Sequence, residues 1–189
     1  MKNRSTFLTI GSLIFLSALI YIGAFHTPPL ARSATTRTVC AAGCDHTTIT
    51  AAITASAIGD TIDVQATYAP AGDASPITVG EDVTIDCGDV ATIGTTGTAE
   101  AINITVAGAT ISNCEFDRVN ITISAGTVTI DSNAFDPNYS SDITITGGDN
   151  STISDNTAIN GILINGTIDG TEVSGNTIEI RSTTGEEGI

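Results

Sequence analysis

The stretch VNITISAGTVTIDSNAF, residues 119–135, decides the fold. Ile121-Thr-Ile123 alternates apolar with polar, so it is a short strand with isoleucines on one face. Ile130 follows seven residues after Ile123, Asn133 three residues after that, and Phe135 close behind. Ser, Gly, Asp and Asn fill the corners between them. The same order recurs on both sides. Ile102-Asn-Ile104 lies 19 residues earlier, Ile143-Thr-Ile145 lies 22 later, and Ile162-Leu-Ile164 another 19 beyond. Ile111, Ile153 and Val173 repeat the second apolar position; Cys114, Asn156 and Asn176 repeat the third; Phe116, Ile159 and Ile178 repeat the fourth. A less regular rung, Val83-Thr-Ile85 with Cys87 after it, precedes them.

A period near 20 residues with three short β-branched strands per repeat points to a coil whose rungs stack in parallel, about 4.8 Å apart. Helical periodicity is absent, and leucine is scarce beyond the N-terminal segment, which removes the helical and leucine-rich repeats. The expectation is an all-β, right-handed, single-stranded parallel β-helix of about five rungs over residues 61–189. Asn133, Asn156 and Asn176 should form a hydrogen-bonded ladder at a corner, where Asn tolerates left-handed geometry; the competing reading is a row facing a ligand.

Four cysteines allow three pairings. Proximity favours Cys40–Cys44, with Cys87–Cys114 as the second bond. Cys87 and Cys114 lie 27 residues apart, near one rung plus a loop. Neighbouring rungs about 4.8 Å apart fall within the disulfide Cα range of about 4.4–6.8 Å. Zinc is the alternative, but Cys-x3-Cys has no second close pair, and His26 and His46 supply no clear further ligands.

The first 34 residues read as a segment apart from the coil. Lys2 and Arg4 precede Phe7 to Phe25, which carries no charge, and Pro28 and Pro29 stop any helix. This is a secretory signal, cleaved after Ser33 or Ala34, or a retained membrane anchor. Either exports the rest of the chain. From Thr35 onward there is no lysine, and three arginines (Arg37, Arg118, Arg181) face 21 acidic residues. That balance excludes nucleic acid and anionic lipid as partners. It suits a soluble surface or cation binding. Membrane contact is expected only through the N-terminal segment.

Between this segment and the rungs, residues 35–60 read as an N-terminal cap. Ile49, Ala52, Ile53 and Ala57 fall on one face of a short helix over 47–57, ended by Gly59. Such a helix covers the open end of a solenoid. Val39-Cys40-x3-Cys44-Asp45, the stretch 51–57, Gly59-Asp60-Thr61-Ile62-Asp63-Val64, Tyr68 and Ile77-Thr-Val79 together resemble the start of pectin-lyase-like β-helix surface proteins. The repeats over 83–180 resemble the generic parallel β-helix repeat. The resemblance implies the fold. It leaves activity open, because that superfamily spans lyases, hydrolases, epimerases and adhesins.

No assembled chemistry stands out. Arg118 and Arg181 are the only basic candidates within the coil for a lyase of this fold, and Asp117 beside Arg118 reads as a surface ion pair. The paired aspartates and Gly-His-Gly of a polygalacturonase-like hydrolase are missing. His46 is the one histidine beyond the N-terminal segment, so no Ser-His-Asp set is expected. Asp131 and Asp155 are the carboxylates best placed for acid–base work or Ca²⁺, within the wider series Asp131, Asp136, Asp142, Asp149 and Asp155. Apart from Ca²⁺ no cofactor is expected. Tyr68, Tyr139, Phe116 and Phe135 are few for stacking on sugars, and the two phenylalanines read as core. Asn-x-Ser/Thr sequons occur at Asn103, Asn120, Asn138, Asn150 and Asn165; Asn138 and Asn150 lie in loops and are the better acceptors. The chain closes on Gly188-Ile189, which repeats Gly161-Ile162, so a C-terminal truncation is expected. The sum is a secreted or cell-surface scaffold without catalysis, for surface architecture, adhesion or glycan contact. The alternative is a fragment of a polysaccharide lyase or glycoside hydrolase acting on acidic polysaccharide.

Overall fold

The computed structural model describes residues 32–88, 90–94, 99–139 and 141–179. Residues 1–31 of the signal or anchor segment, Arg181 and the Gly188-Ile189 ending lie outside the described residues. The remainder winds into a parallel β-solenoid of about six turns.

Three parallel sheets form its faces. The first has seven strands: Thr36–Val39, Thr61–Val64, Thr84–Asp86, Thr110–Ser112, Thr129–Asp131, Thr152–Ser154 and Glu172–Ser174. The second has five: Ile77–Val79, Glu100–Ile104, Val119–Ile123, Asp142–Ile145 and Gly161–Ile164. The third has three: Thr92–Gly94, Glu115–Asp117 and Ala134–Phe135. Single bridges Ala134–Thr157 and Ile159–Ile178 prolong it.

The isoleucine columns fill the interior. Ile62, Ile85, Ile111, Ile130 and Ile153 stack beneath the first face, and Ile102, Ile121 and Ile143 beneath the second. Ile93, Phe116 and Phe135 stack beneath the third. All are at most 2% exposed. Each such burial contributes about 1.5–3 kcal/mol before chain entropy is subtracted. The Phe116 and Phe135 rings lie 4.9 Å apart between centroids. In the last described rung, Ile164, Val173 and Ile178 are about half exposed.

The N-terminal end departs from expectation. Residues 35–60 are more than a cap: Thr36–Val39 is the first strand of the seven-stranded sheet, paired in register with Thr61–Val64. This adds a rung to the expected five. Arg37 stands in the inward column beside Ile62, a place given to Ile or Val in every later rung, which hid the strand from an apolar pattern. Its guanidinium pairs with the fully buried Asp60 at 3.6 Å. Asp60 also accepts from Thr35 N at 2.9 Å and Ala57 N at 3.0 Å.

The capping helix spans Ile49–Ala55, shorter than 47–57. Thr48 is spent as N-cap, its hydroxyl accepting from Ala51 N at 3.1 Å. Asp73, 24 residues away, accepts from Ile49 N at 2.7 Å, and also from Thr50 N and the Tyr68 hydroxyl. Ser56 closes the helix through its N–H to Ile53 O at 3.0 Å. Ile49, Ala52 and Ile53 are buried, as the expected face requires.

Candidate functional site

The corner between the first and third faces holds the asparagine column. Asn133 and Asn156 are buried, and Asn176 is partly exposed. Asn133 Oδ1 accepts from Cys114 N, Asn156 Oδ1 from Asn133 N, and Asn176 Oδ1 from Asn156 N, all at 3.0 Å. The amides also donate to carbonyls of the rung before: Asn133 to Ile111 O, Asn156 to Ile130 O, Asn176 to Ile153 O. The column therefore faces inward and serves the backbone. The left-handed residue is the one before it: Asn113, Ser132, Asp155 and Gly175, with φ between +53° and +66°. That corrects the reason given for asparagine here, which is its paired donor and acceptor rather than its backbone tolerance. Cys114 holds the same place one rung down and bonds to Cys87, with 4.8 Å between Cα atoms. Cys40 and Cys44 form the second disulfide. Two disulfides point to an oxidising environment.

Outward from the first face stand two columns. Thr36, Thr61, Thr84, Thr110, Thr129, Thr152 and Glu172 lie in register, one per rung. Two residues along each strand stand Thr38, Asp63, Asp86, Ser112, Asp131, Ser154 and Ser174. The hydroxyls of Thr61, Thr84, Thr110, Thr129 and Thr152 have no hydrogen-bond partner among the described residues. Ser124 and Thr146, at the end of the second face, differ: their hydroxyls donate to Ile104 O at 3.0 Å and Ile123 O at 3.1 Å. The carboxylates of the second column are engaged. Asp86 accepts from Gly88 N and Asn113 Nδ2, and Asp131 from the hydroxyls of Ser132 and Ser154.

The third face carries a groove of about 360 Å³ lined by Thr92, Glu115, Phe116, Asp117, Phe135 and Asp136 among others. The strands of this face pack closely: a Cβ at Gly94 (φ +102°) would collide with Asp117 O. Asp117 is 8% exposed, and its Oδ1 has no hydrogen-bond partner among the described residues. The expected ion pair with Arg118 does not form; Arg118 stacks 3.8 Å over the Tyr139 ring, and Asp117 is buried. Burial and the neighbouring Asp73 and Asp117 carboxylates push the Glu100 carboxyl above the usual range.

The other sequence candidates are scattered. Asp131 belongs to the first face, while the Asp155 carboxylate lies over Gly175 at the corner. Asp136 accepts from Asn138 N, Asp142 from Asn160 Nδ2, and Asp149 from Asp169 N. Among the described residues no three of His, Cys, Asp and Glu converge on a metal-sized site. Among the sequons, Asn138, Asn150 and Asn165 are exposed, while Asn103 and Asn120 are half-buried.

Glu100, Asp60 and Asp73 were missed by sequence reasoning, since Asp60 meets Arg37 and Thr35, and Asp73 meets Ile49, across more than 20 residues. The threonine column was passed over as well, although Thr61, Thr84, Thr110, Thr129 and Thr152 each precede an inward isoleucine. Among the described residues no helix is long and apolar enough to cross a membrane. No family model matches the chain, and no curated protein or solved structure matches it.

Proposed function

We propose that this chain is an exported, non-catalytic β-solenoid of the pectin-lyase-like kind, working at or beyond the cell surface as a scaffold whose seven-stranded face is the working surface. The carrying observation is that face: two outward columns in register, with five threonine hydroxyls of one lacking a hydrogen-bond partner among the described residues. Two disulfides and an acidic chain without lysine beyond residue 34 support export and solubility. Ca²⁺ through Asp131 and Asp155 is not required, since Asp131 is already met by two hydroxyls. The test is incubation of the purified protein with acidic polysaccharides such as polygalacturonate and alginate. New reducing or unsaturated ends should stay at the buffer level; cleavage overturns the reading.

A second reading rests on the groove of the third face. Asp117 and Asp136 sit on adjacent rungs there, and the Asp117 carboxylate helps to raise the Glu100 carboxyl. A fragment of a polysaccharide lyase or glycoside hydrolase would use such a carboxylate pair. If cleavage is found, Asp117→Asn should remove it.

A further inference from the structure

We propose that the threonine column of the first face binds the surface of ice. This rests on reading that face as the working surface and names its ligand: a crystal lattice of water.

Three observations carry it. The first is metric. Six threonines, Thr36, Thr61, Thr84, Thr110, Thr129 and Thr152, occupy successive strands in unbroken register. Strand spacing sets their step at about 4.8 Å, so the column runs about 24 Å. The companion column lies two residues along, about 6.7 Å away. The resulting rectangular grid has steps close to the oxygen repeats of ordinary ice along its a and c axes.

The second observation is chemical. The hydroxyls of Thr61, Thr84, Thr110, Thr129 and Thr152, without a partner among the described residues, are left to bond to water. A β-branched side chain on a strand is stiff at χ1, and its neighbours above and below hold it further. Each rung thus presents a hydroxyl and a methyl in a repeated setting. Water over the column is held at grid points by the hydroxyls and excluded between them by the methyls.

The third observation separates ice from other ligands. A sugar-binding face presents aromatic platforms. Here Phe116, Phe135 and Tyr68 are buried, and Tyr139 is covered by Arg118. The one arginine of the face, Arg37, points inward to Asp60. The companion carboxylates Asp63, Asp86 and Asp131 accept from Gln65, Asn113 and Ser154, which holds them in place.

The test uses the full purified chain in a nanolitre osmometer. The protein should shape ice into faceted crystals and open a gap between melting and freezing temperatures. Thr110→Tyr with Thr129→Tyr puts bulk in the middle of the first face and should remove the gap. Thr122→Tyr with Thr144→Tyr, a matched pair on the second face, should leave it intact. Circular dichroism melts of both pairs verify folding; if the first pair unfolds, Thr110→Lys alone replaces it with the same expected loss. Rounded ice crystals and no gap for the unmodified chain overturn the proposal, as does equal loss from the two faces. Either result leaves the non-catalytic reading standing, because only polysaccharide cleavage removes that.

Discussion

Asn156→Ala should be the most damaging single substitution in the corner ladder. Asn156 is fully buried and joins three rungs. Its two Nδ2 hydrogens are shared among Ile130 O at 2.9 Å, Ser154 O at 2.8 Å and Asn176 Oδ1 at 2.9 Å. Its Oδ1 accepts from Asn133 N and Asn133 Nδ2, both at 3.0 Å. Alanine leaves the Asn133 N–H buried without a partner and removes the side-chain amide bonds to Ile130 O, Ser154 O and Asn176 Oδ1. The orphan costs about 1–3 kcal/mol and each lost side-chain bond about 1 kcal/mol, so the loss should be about 4 kcal/mol. A domain of this size loses about 2–4 °C per kcal/mol, which places the fall in Tm at roughly 12 °C. Asn176→Ala is the internal comparison. That residue makes the same pattern of bonds but is partly exposed, so water replaces what is lost and about 1 kcal/mol is expected. Thermal and urea melts followed by circular dichroism measure both. If Asn156→Ala lies within about 1 kcal/mol of the parent, or if the two variants fall equally, the ladder is not what holds this corner.

Three further outcomes follow from the same structure. Opening the 27-residue loop by Cys87→Ala with Cys114→Ala should cost about 3.5 kcal/mol, against about 2 kcal/mol for removing Cys40–Cys44; equal losses on urea melts would contradict the chain-entropy account. Glu100 has a folded pKa raised above its unfolded value of about 4.3, so its contribution to stability is fully present below that pH and is lost as pH rises toward the folded value. Glu100→Gln should therefore flatten the fall of Tm across that window, and an unchanged pH profile would remove Glu100 as its source. Asp60→Ala leaves Arg37 and the Thr35 and Ala57 amides unmatched at the N-terminal end, and a loss of about 3 kcal/mol is expected on urea melts; a neutral result would show that solvent serves these donors.

The coil was legible because its interior is periodic and apolar. Ile102, Ile121 and Ile143 announce a column from spacing alone, and the column is there in register. The Cys87–Cys114 bond was legible for the same reason, since a rung step is a disulfide step. The first strand was not, because Arg37 occupies the isoleucine place and its partner Asp60 lies 23 residues on, across the helix. The start of the helix was misjudged by two residues, since Asp73 supplies its cap from a loop. Asp117 was assigned to Arg118 because sequence neighbours are the only partners a sequence shows; at the corner the two side chains part. The outward threonines sat in plain view but carry no apolar period, and a search for core passes over them.

The inner ladder and the outer columns depend on one register. Successive ladder residues are separated by 19, 23 and 20 positions, yet each side-chain oxygen meets the next backbone N–H at 3.0 Å. Differences in loop length are absorbed at the corners and never reach the strands. Thr110, Thr129 and Thr152 inherit that constant step, because each lies four residues before Cys114, Asn133 or Asn156 on a continuous stretch of chain. A substitution inside the ladder must therefore disturb both stability and the outer grid. A substitution on the outer grid should disturb the grid alone. Asn156→Ala and Thr129→Tyr thus separate the two roles: the first should lower Tm and ice shaping together, the second ice shaping only. If Thr129→Tyr lowers Tm as far as Asn156→Ala does, the outward threonines are part of what holds the coil, and their free hydroxyls lose their claim to a ligand.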